Sequence, residues 1–253
     1  MSESMPRCLA IGGLDPSGGA GIVADVRTLT AFECRSSAVV TSVTFQNDRQ
    51  VLGVEHMSAG SIRRQIEAVL AGADVDAVKT GMLPTADIVR TVAEIIRGHG
   101  LSNIVVDTVL NSTSGYKLVN DEAAAAMVEY LFPIAMLVTP NILELEFLTR
   151  LSISTPADVQ NAANRLRAMG ARNVLVKGGH LPGQKGEVID FLFEANSTQT
   201  IRHIYVPNVS VRGTGCMLAS AAAAGLADGC KLSEAVLNAV SYVHKIIASS
   251  KDP

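Results

Sequence analysis

Two hydrophobic periods take turns along this chain. "CLAIGG" (8–13) is a short apolar run that stops at glycine, and residues 20–32, "AGIVADVRTLTAF", carry apolar residues at helical spacing. The β-branched stretch "SAVVTSVTF" (37–45) predicts a strand and 59–71 a helix. "VDAVKTG" (75–81) reads as a strand that breaks at Gly81, and 84–97 as a helix with Pro84 near its first turn. "NIVVDTVL" (103–110) is a strand, and "NDEAAAAMVEYLF" (120–132) a helix capped by Asn120 with acids in its first turn. "IAMLVTPN" (134–141) is a strand ended by Pro140, "ILELEFL" (142–148) a short helix, and 154–170 a capped helix with Gly170 at its end. "NVLVKGG" (173–179) is a strand, 187–193 and 200–207 form an antiparallel pair, and Ala-rich helices cover 214–228 and 232–249.

Strand–helix alternation of this kind predicts an α/β fold with a central, mostly parallel sheet covered by helices on both faces. No internal repeat, low-complexity segment or long linker interrupts it, so residues 1–253 read as a single domain. "LPGQKGE" (181–187) is the best candidate for an exposed loop. Ligands of such folds bind at the carboxyl ends of the strands, which directs attention to the polar residues there.

Composition narrows the picture. The chain has 253 residues and 48% hydrophobic content, enough for a sizeable core, and with 4% aromatics and no Trp the aliphatic residues must fill it. The formal net charge is −3 and no basic stripe is interleaved with aromatics, which argues against nucleic acid as a partner. Cys8, Cys34, Cys216 and Cys230 lie far apart, with no C-x-x-C pair, so neither a zinc site nor a disulfide framework is expected. The first apolar run is too short for a signal peptide, and no stretch approaches the roughly 18 apolar residues of a membrane span. The expectation is a cytoplasmic protein with no membrane partner.

The candidate chemistry is concentrated at strand ends. In Gly213-Thr214-Gly215-Cys216, two glycines let the backbone approach a ligand, and the helix that follows offers free N–H groups and partial positive charge. That arrangement suits a phosphate, or charge developing in phosphoryl transfer; its plain alternative is a tight turn with Cys216 as a packing residue. It is not a Walker A loop, because no Gly-Lys-Ser/Thr follows, and no dinucleotide fingerprint follows the first strand. "GGLDPSGGAG" (12–21) can admit a ligand or be an ordinary turn.

Asp107 closes a strand, where a carboxylate can hold Mg²⁺ or merely shape a turn. Asn141 and Glu144 open a helix; they suit phosphate and magnesium, and equally a capping box. Lys177 ends a strand before two glycines, where it can neutralise a nucleotide phosphate or stand in solvent. His180 lies at the same edge, and Asp25, Gln46 and Met82 lie in or after early elements. Singly these signals are weak.

In combination they are specific. "AIGGLDPSGGAGIVAD", "TSVTFQN", "VKTGML", "IVVDTV", "TPNILELE", "LVKGGH" and "GTGC" follow one another across almost the whole chain. Together they resemble the hydroxymethylpyrimidine/phosphomethylpyrimidine kinases of thiamine biosynthesis, in the ribokinase-like superfamily. The resemblance implies a ribokinase-like fold, commonly a homodimer, using ATP and Mg²⁺. It implies phosphorylation of 4-amino-5-hydroxymethyl-2-methylpyrimidine, and in bifunctional members of the monophosphate. It assigns Gln46 to the pyrimidine edge, with Gly13, Asp25, Met82 and Val109 forming its pocket. Asp107 and Glu144 are assigned to the magnesium–nucleotide, Asn141 and Lys177 to its phosphates, and Gly213, Thr214, Gly215 and Cys216 to the anion hole.

Cys216 is the expected proton acceptor, since a helix N-terminus favours the thiolate. Its replacement by Ala is expected to lose most turnover. The chain departs from the family pattern at Thr108, Arg212 and Met217; Arg212 would contact phosphate or point to solvent. A pyridoxal kinase and a non-catalytic pyrimidine sensor are the alternatives. Gln46 favours the aminopyrimidine, because an amide can match both a ring nitrogen and an amino group.

Overall fold

The computed structural model describes residues 5–112, 115–179, 181 and 186–250. His180 and most of the expected loop at 181–187 lie outside the described residues. The elements run β1 (Arg7–Leu14), α1 (Gly21–Ala31), β2 (Arg35–Gln46), β3 (Val51–His56), α2 (Ala59–Gly72), β4 (Ala77–Thr80) and α3 (Ala86–Gly98). They continue with β5 (Ile104–Val106), α4 (Asp121–Ala126), β6 (Leu137–Val138), α5 (Ile142–Thr149), α6 (Pro156–Ala168) and β7 (Val174–Val176). The hairpin β8 (Glu187–Phe193) and β9 (Thr198–Ile204) and the helices α7 (Thr214–Ala227) and α8 (Leu232–Ser249) complete the chain.

One sheet has the order β3-β2-β1-β4-β5-β6-β7-β8-β9. From β2 to β7 all neighbours are parallel; β3, β8 and β9 are added antiparallel at the edges. The expected mostly parallel sheet is therefore present. Alternate residues of β1 enter opposite cores, Leu9 and Ile11 on one face and Cys8 and Ala10 on the other. The first core packs α2 to α6, the second α1, α7 and α8. α7 is buried from Leu218 to Leu226, and its alanines let α8 approach closely: a Cβ on Gly225 would stand 2.9 Å from the Ala235 methyl. A helix buried on every side needs no polar stripe, which explains its near-uniform composition.

The structure corrects several sequence boundaries. β3 is absent from the periodicity reading; its Gly53 weakens the strand pattern, and it gains its structure from antiparallel pairing with β2. The expected helix 120–132 is helical only to Ala126, then widens to a π turn over Met127–Leu131 and tightens to a 3₁₀ turn over Phe132–Ile134. Pro133 has no N–H to continue an α-helix. α3 is capped by Thr85, so Pro84 lies outside it. Strands expected over 103–110, 134–141 and 173–179 are shorter, because their last residues leave the ladder and turn into the candidate site.

Candidate active site

β5 and β7 carry the site chemistry beyond their last paired residues. Asp107 follows β5, anchored by its N–H to the Thr80 carbonyl (2.9 Å). Lys177 follows β7, its N–H bonded to the Pro140 carbonyl (2.9 Å), and it bridges in parallel to Asn141. The Lys177 ammonium stands 3.3 Å from Asp107 Oδ1 and 3.8 Å from Glu144 Oε2. Behind it, the Asp190 carboxylate accepts the Gly178 N–H at 2.8 Å, which fixes the turn after β7. Lys177 thus faces two acids and is no solvated strand-end lysine.

Asn141 and Glu144 do form the capping box of α5: Glu144 N–H donates to Asn141 Oδ1 (2.9 Å) and Asn141 N–H to Glu144 Oε2 (2.8 Å). The box also serves the site, since Thr108 donates to the same Glu144 oxygen at 2.9 Å. Thr108, a departure from the family pattern, therefore has a partner. Burial pushes the Glu144 carboxyl above its usual range, against the pull of Lys177. Burial would also lower Lys177, but Asp107 and Glu144 outweigh it and raise the ammonium.

Lys79, which the sequence reading passed over, lies at the centre. It is 1% exposed, and its ammonium is 2.8 Å from Asp25 Oδ1 and 3.9 Å from Asp107 Oδ2. Burial opposes its charge, but Asp25, the Cys216 sulfur and Asp107 more than compensate and raise it. Asp25 is pushed up by burial while Lys79 and a 2.9 Å bond from Ser220 pull it down. The short contact favours the ion-paired form, while the neighbouring Asp107 charge adds to the upward push on the Asp25 carboxyl. Gly81 matters here: a Cβ would stand 2.9 Å from the Lys79 nitrogen. The available signal is a lysine directly after the apolar pair Ala77-Val78 of a short strand, where a buried charge needs a partner. Asp25 itself has no accessible surface, so the structure places it beside Lys79 rather than on an open pocket wall.

The Gly213–Cys216 turn does open a helix. Gly213 has φ +73°, and a Cβ there would collide with the Gly19 carbonyl oxygen. Thr214, Gly215 and Cys216 form the first turn of α7, where backbone N–H groups have no helical acceptor. A Cβ on Gly215 would lie 3.3 Å from the Lys177 nitrogen and 3.8 Å from Asp107 Oδ1. The turn and the charged cluster are thus contiguous. The expected resting thiolate does not follow, however. Cys216 is half-buried, and burial pushes its thiol up to about 12, with Lys79 and a bond from the Gly21 N–H pulling the other way without prevailing. Desolvation outweighs the helix N-terminus.

On the expected pyrimidine side, Gly13 lies at a register shift between β1 and β2, and a Cβ on it would stand 3.0 Å from the Met82 sulfur. Met82 is buried, its carbonyl accepting the Thr41 hydroxyl at 2.7 Å. Val109 is half-buried against the larger core, and Gln46 ends β2 with its side chain beside Asp15. Arg212 neither points to solvent nor stands free for phosphate: it is ion-paired to Asp15 (2.9 Å) and Asp48 (3.2 Å). Met217 packs partly buried against the α1/α7/α8 core.

The residues present fit a magnesium ion. Asp107 Oδ2 is buried with no hydrogen-bond partner, and Mg²⁺ ordinarily needs only one or two carboxylates beside phosphate and water. No group of three acidic, His or Cys side chains able to hold a metal occurs among the described residues. No helix is long and apolar enough to cross a membrane among the described residues.

Comparison with known proteins places this fold among kinases. The chain is 37% identical over 247 residues to the hydroxymethylpyrimidine/phosphomethylpyrimidine kinase of Bacillus subtilis (strain 168), covering 98% of this chain and 91% of that protein. The crystal structure of phosphomethylpyrimidine kinase from Clostridium difficile 630 superposes with a TM-score of 0.82 at 34% identity, covering 98% of this chain and all of the other. An ADP complex of Bacillus subtilis pyridoxal kinase superposes with a TM-score of 0.85 at 32% identity, covering 94% and 90%. Residues 15–253 match the family model for phosphomethylpyrimidine kinase, and the chain belongs to that family of ribokinase-like kinases.

Proposed function

We propose that this kinase transfers the γ-phosphoryl group of ATP to the hydroxymethyl oxygen of 4-amino-5-hydroxymethyl-2-methylpyrimidine, and then phosphorylates the monophosphate to the diphosphate. The observation that carries the reading is the contiguity of Lys177, Asp107 and Glu144 with the Gly213–Cys216 helix start. Phosphoryl transfer needs in-line positioning and neutralisation of charge more than covalent chemistry, and this is a site of oriented donors and cations.

In this reading Lys177 and the amide of Asn141 bind nucleotide phosphate, and the first-turn N–H groups of α7 receive the transferring group. Asp107 holds the magnesium ion and Glu144 supports it from beside Lys177; when bound, the ion would neutralise phosphate charge. Gln46 reads the pyrimidine edge, with Gly13, Met82 and Val109 around the ring and Asp25 held behind them by Lys79. Cys216 orients the attacking hydroxyl. With its thiol pushed up to about 12, it accepts the hydroxyl proton only as the small fraction present as thiolate. A loose transition state tolerates this, because the attacking oxygen loses its proton late. A homodimer and a cytoplasmic location, where ATP is available, belong to the same reading.

The test is product analysis with Mg-ATP and the pyrimidine alcohol, separating monophosphate from diphosphate, with pyridoxal in parallel. Pyridoxal phosphorylation is the second reading, favoured by the 32% identity to a pyridoxal kinase structure. A larger kcat/KM for pyridoxal would establish it. Tight pyrimidine binding without ADP release would mark a sensor instead.

A further inference from the structure

We propose that Arg212 is a positioning residue that clasps the substrate-side loop to the phosphoryl-side turn. The proposal rests on the assignment of the pyrimidine to the Gln46 side. One guanidinium reaches two segments far from it in sequence, the loop at Asp15 and Ser17 and the turn at Asp48. Nη2 donates to Asp15 Oδ2 at 2.9 Å; Nη1 donates to Ser17 Oγ at 2.8 Å and to Asp48 Oδ1 at 3.2 Å. Arg212 immediately precedes Gly213, so its backbone is continuous with the anion-binding turn.

Each partner is itself held. Asp15 is 2% exposed, and its second oxygen accepts both the N–H and the hydroxyl of Ser17 (2.8 and 2.7 Å). Burial pushes the Asp15 carboxyl up, but bonds from Gln46 and Ser17 and the charge of Arg212 outweigh it and hold it below the usual range. Asp48 belongs to the turn joining β2 to β3, where Asn47 Oδ1 accepts the N–H groups of Arg49 and Gln50. Gly19 lies against the guanidinium, and a Cβ there would stand 3.2 Å from Nη1.

The contacts converge on one boundary. Gly19 touches Gly213, the Gly21 N–H stands beside the Cys216 sulfur, and Gln46 stands beside Asp15. Loop 15–21 therefore has the pyrimidine-reading residue on one side and the phosphoryl-receiving turn on the other, and Arg212 ties them. A guanidinium shared by two carboxylates is poorly placed to neutralise nucleotide phosphate as well. Its rigid fork also explains why a lysine would be a poor substitute, since a single ammonium cannot span the same acceptors.

The test compares wild type, Arg212→Ala, Arg212→Lys and Asp48→Asn. For Arg212→Ala we expect KM for the pyrimidine alcohol to rise about tenfold, with KM for ATP unchanged and kcat within about threefold, because order lost in the free site must be restored on binding. Arg212→Lys recovers only part of this. Hydrogen exchange supplies an independent readout: amides of Ser17, Gly18 and Gln50 lose protection in Arg212→Ala, while those of α8 keep theirs. Asp48→Asn, which removes the charge from only an exposed arm, loosens 47–50 alone and keeps the proposal testable if Arg212→Ala fails to fold. A rise in KM for ATP alone, or unchanged exchange at 15–18 and 47–50, overturns the clasp. If wild type turns over neither alcohol, the functional reading fails and exchange alone decides the clasp.

Discussion

Two charged clusters flank the Gly213–Cys216 turn, and they are built on opposite physical terms. The inner cluster, Lys79 with Asp25 and Asp107, is buried to 1% exposure or less. The outer one, Arg212 with Asp15 and Asp48, runs from a buried carboxylate to one whose side chain is 87% exposed. Burying an ion is expensive, and removing one partner of a buried pair leaves an uncompensated charge. An exposed pair is weak unless its geometry is good and its partners are already ordered. The inner cluster therefore bears on whether the site exists, and the outer cluster on how its two sides are aligned.

The largest expected effect tests the inner cluster. Lys79→Met should destabilise the fold by about 3–5 kcal/mol in urea titration and abolish activity, because Asp25 loses its buried cation while Asp107 keeps only Lys177. Adding Asp25→Leu should restore part of the stability and none of the activity. A stable, active Lys79→Met enzyme would erase the distinction between the clusters. Next, Asp107→Asn should keep the fold, since Lys177 retains Glu144, while lowering kcat by about 100-fold or more through loss of metal and phosphate positioning.

Cys216 comes third. Cys216→Ala should lose most turnover, by about 10- to 100-fold, at or below the lower end of general-base effects, with unchanged nucleotide binding by calorimetry. The raised thiol makes a sharper test in protein free of metal and nucleotide. Its alkylation, followed by peptide mass analysis, should be slow at pH 7–8 and still accelerate about tenfold per pH unit near pH 10. A plateau near pH 7 would restore the resting thiolate. The smallest effect is that of Asp48→Asn, which should change kcat/KM by less than about threefold and abolish what salt sensitivity that arm contributes.

The sequence carries the site unevenly, for reasons that follow the same contrast. Asp107, Lys177 and Glu144 are legible because each stands where an apolar strand ends or a helix begins, and local pattern marks such places. Lys79 lies inside a strand four residues long, where period says only that alternate side chains share a face. Arg212 precedes a glycine turn, and nothing local tells that its partners are Asp15 and Asp48. The protonation of Cys216 is not legible locally, because the helix terminus is local whereas the desolvation that raises its thiol comes from the whole surrounding fold.

The sequence by itself determined the alternation of strand and helix, the mostly parallel sheet and the order of the motifs, since these depend on side-chain period and on turn chemistry within a few residues. Tertiary structure alone decided that Lys79 meets Asp25 across 54 residues and that Arg212 meets Asp15 across 197. It also decided which acids are desolvated, where β3 finds its partner, and where the helix after Asn120 unwinds. Pairing and burial depend on what packing brings together, and a chain's period does not encode the distance between residues so far apart along it.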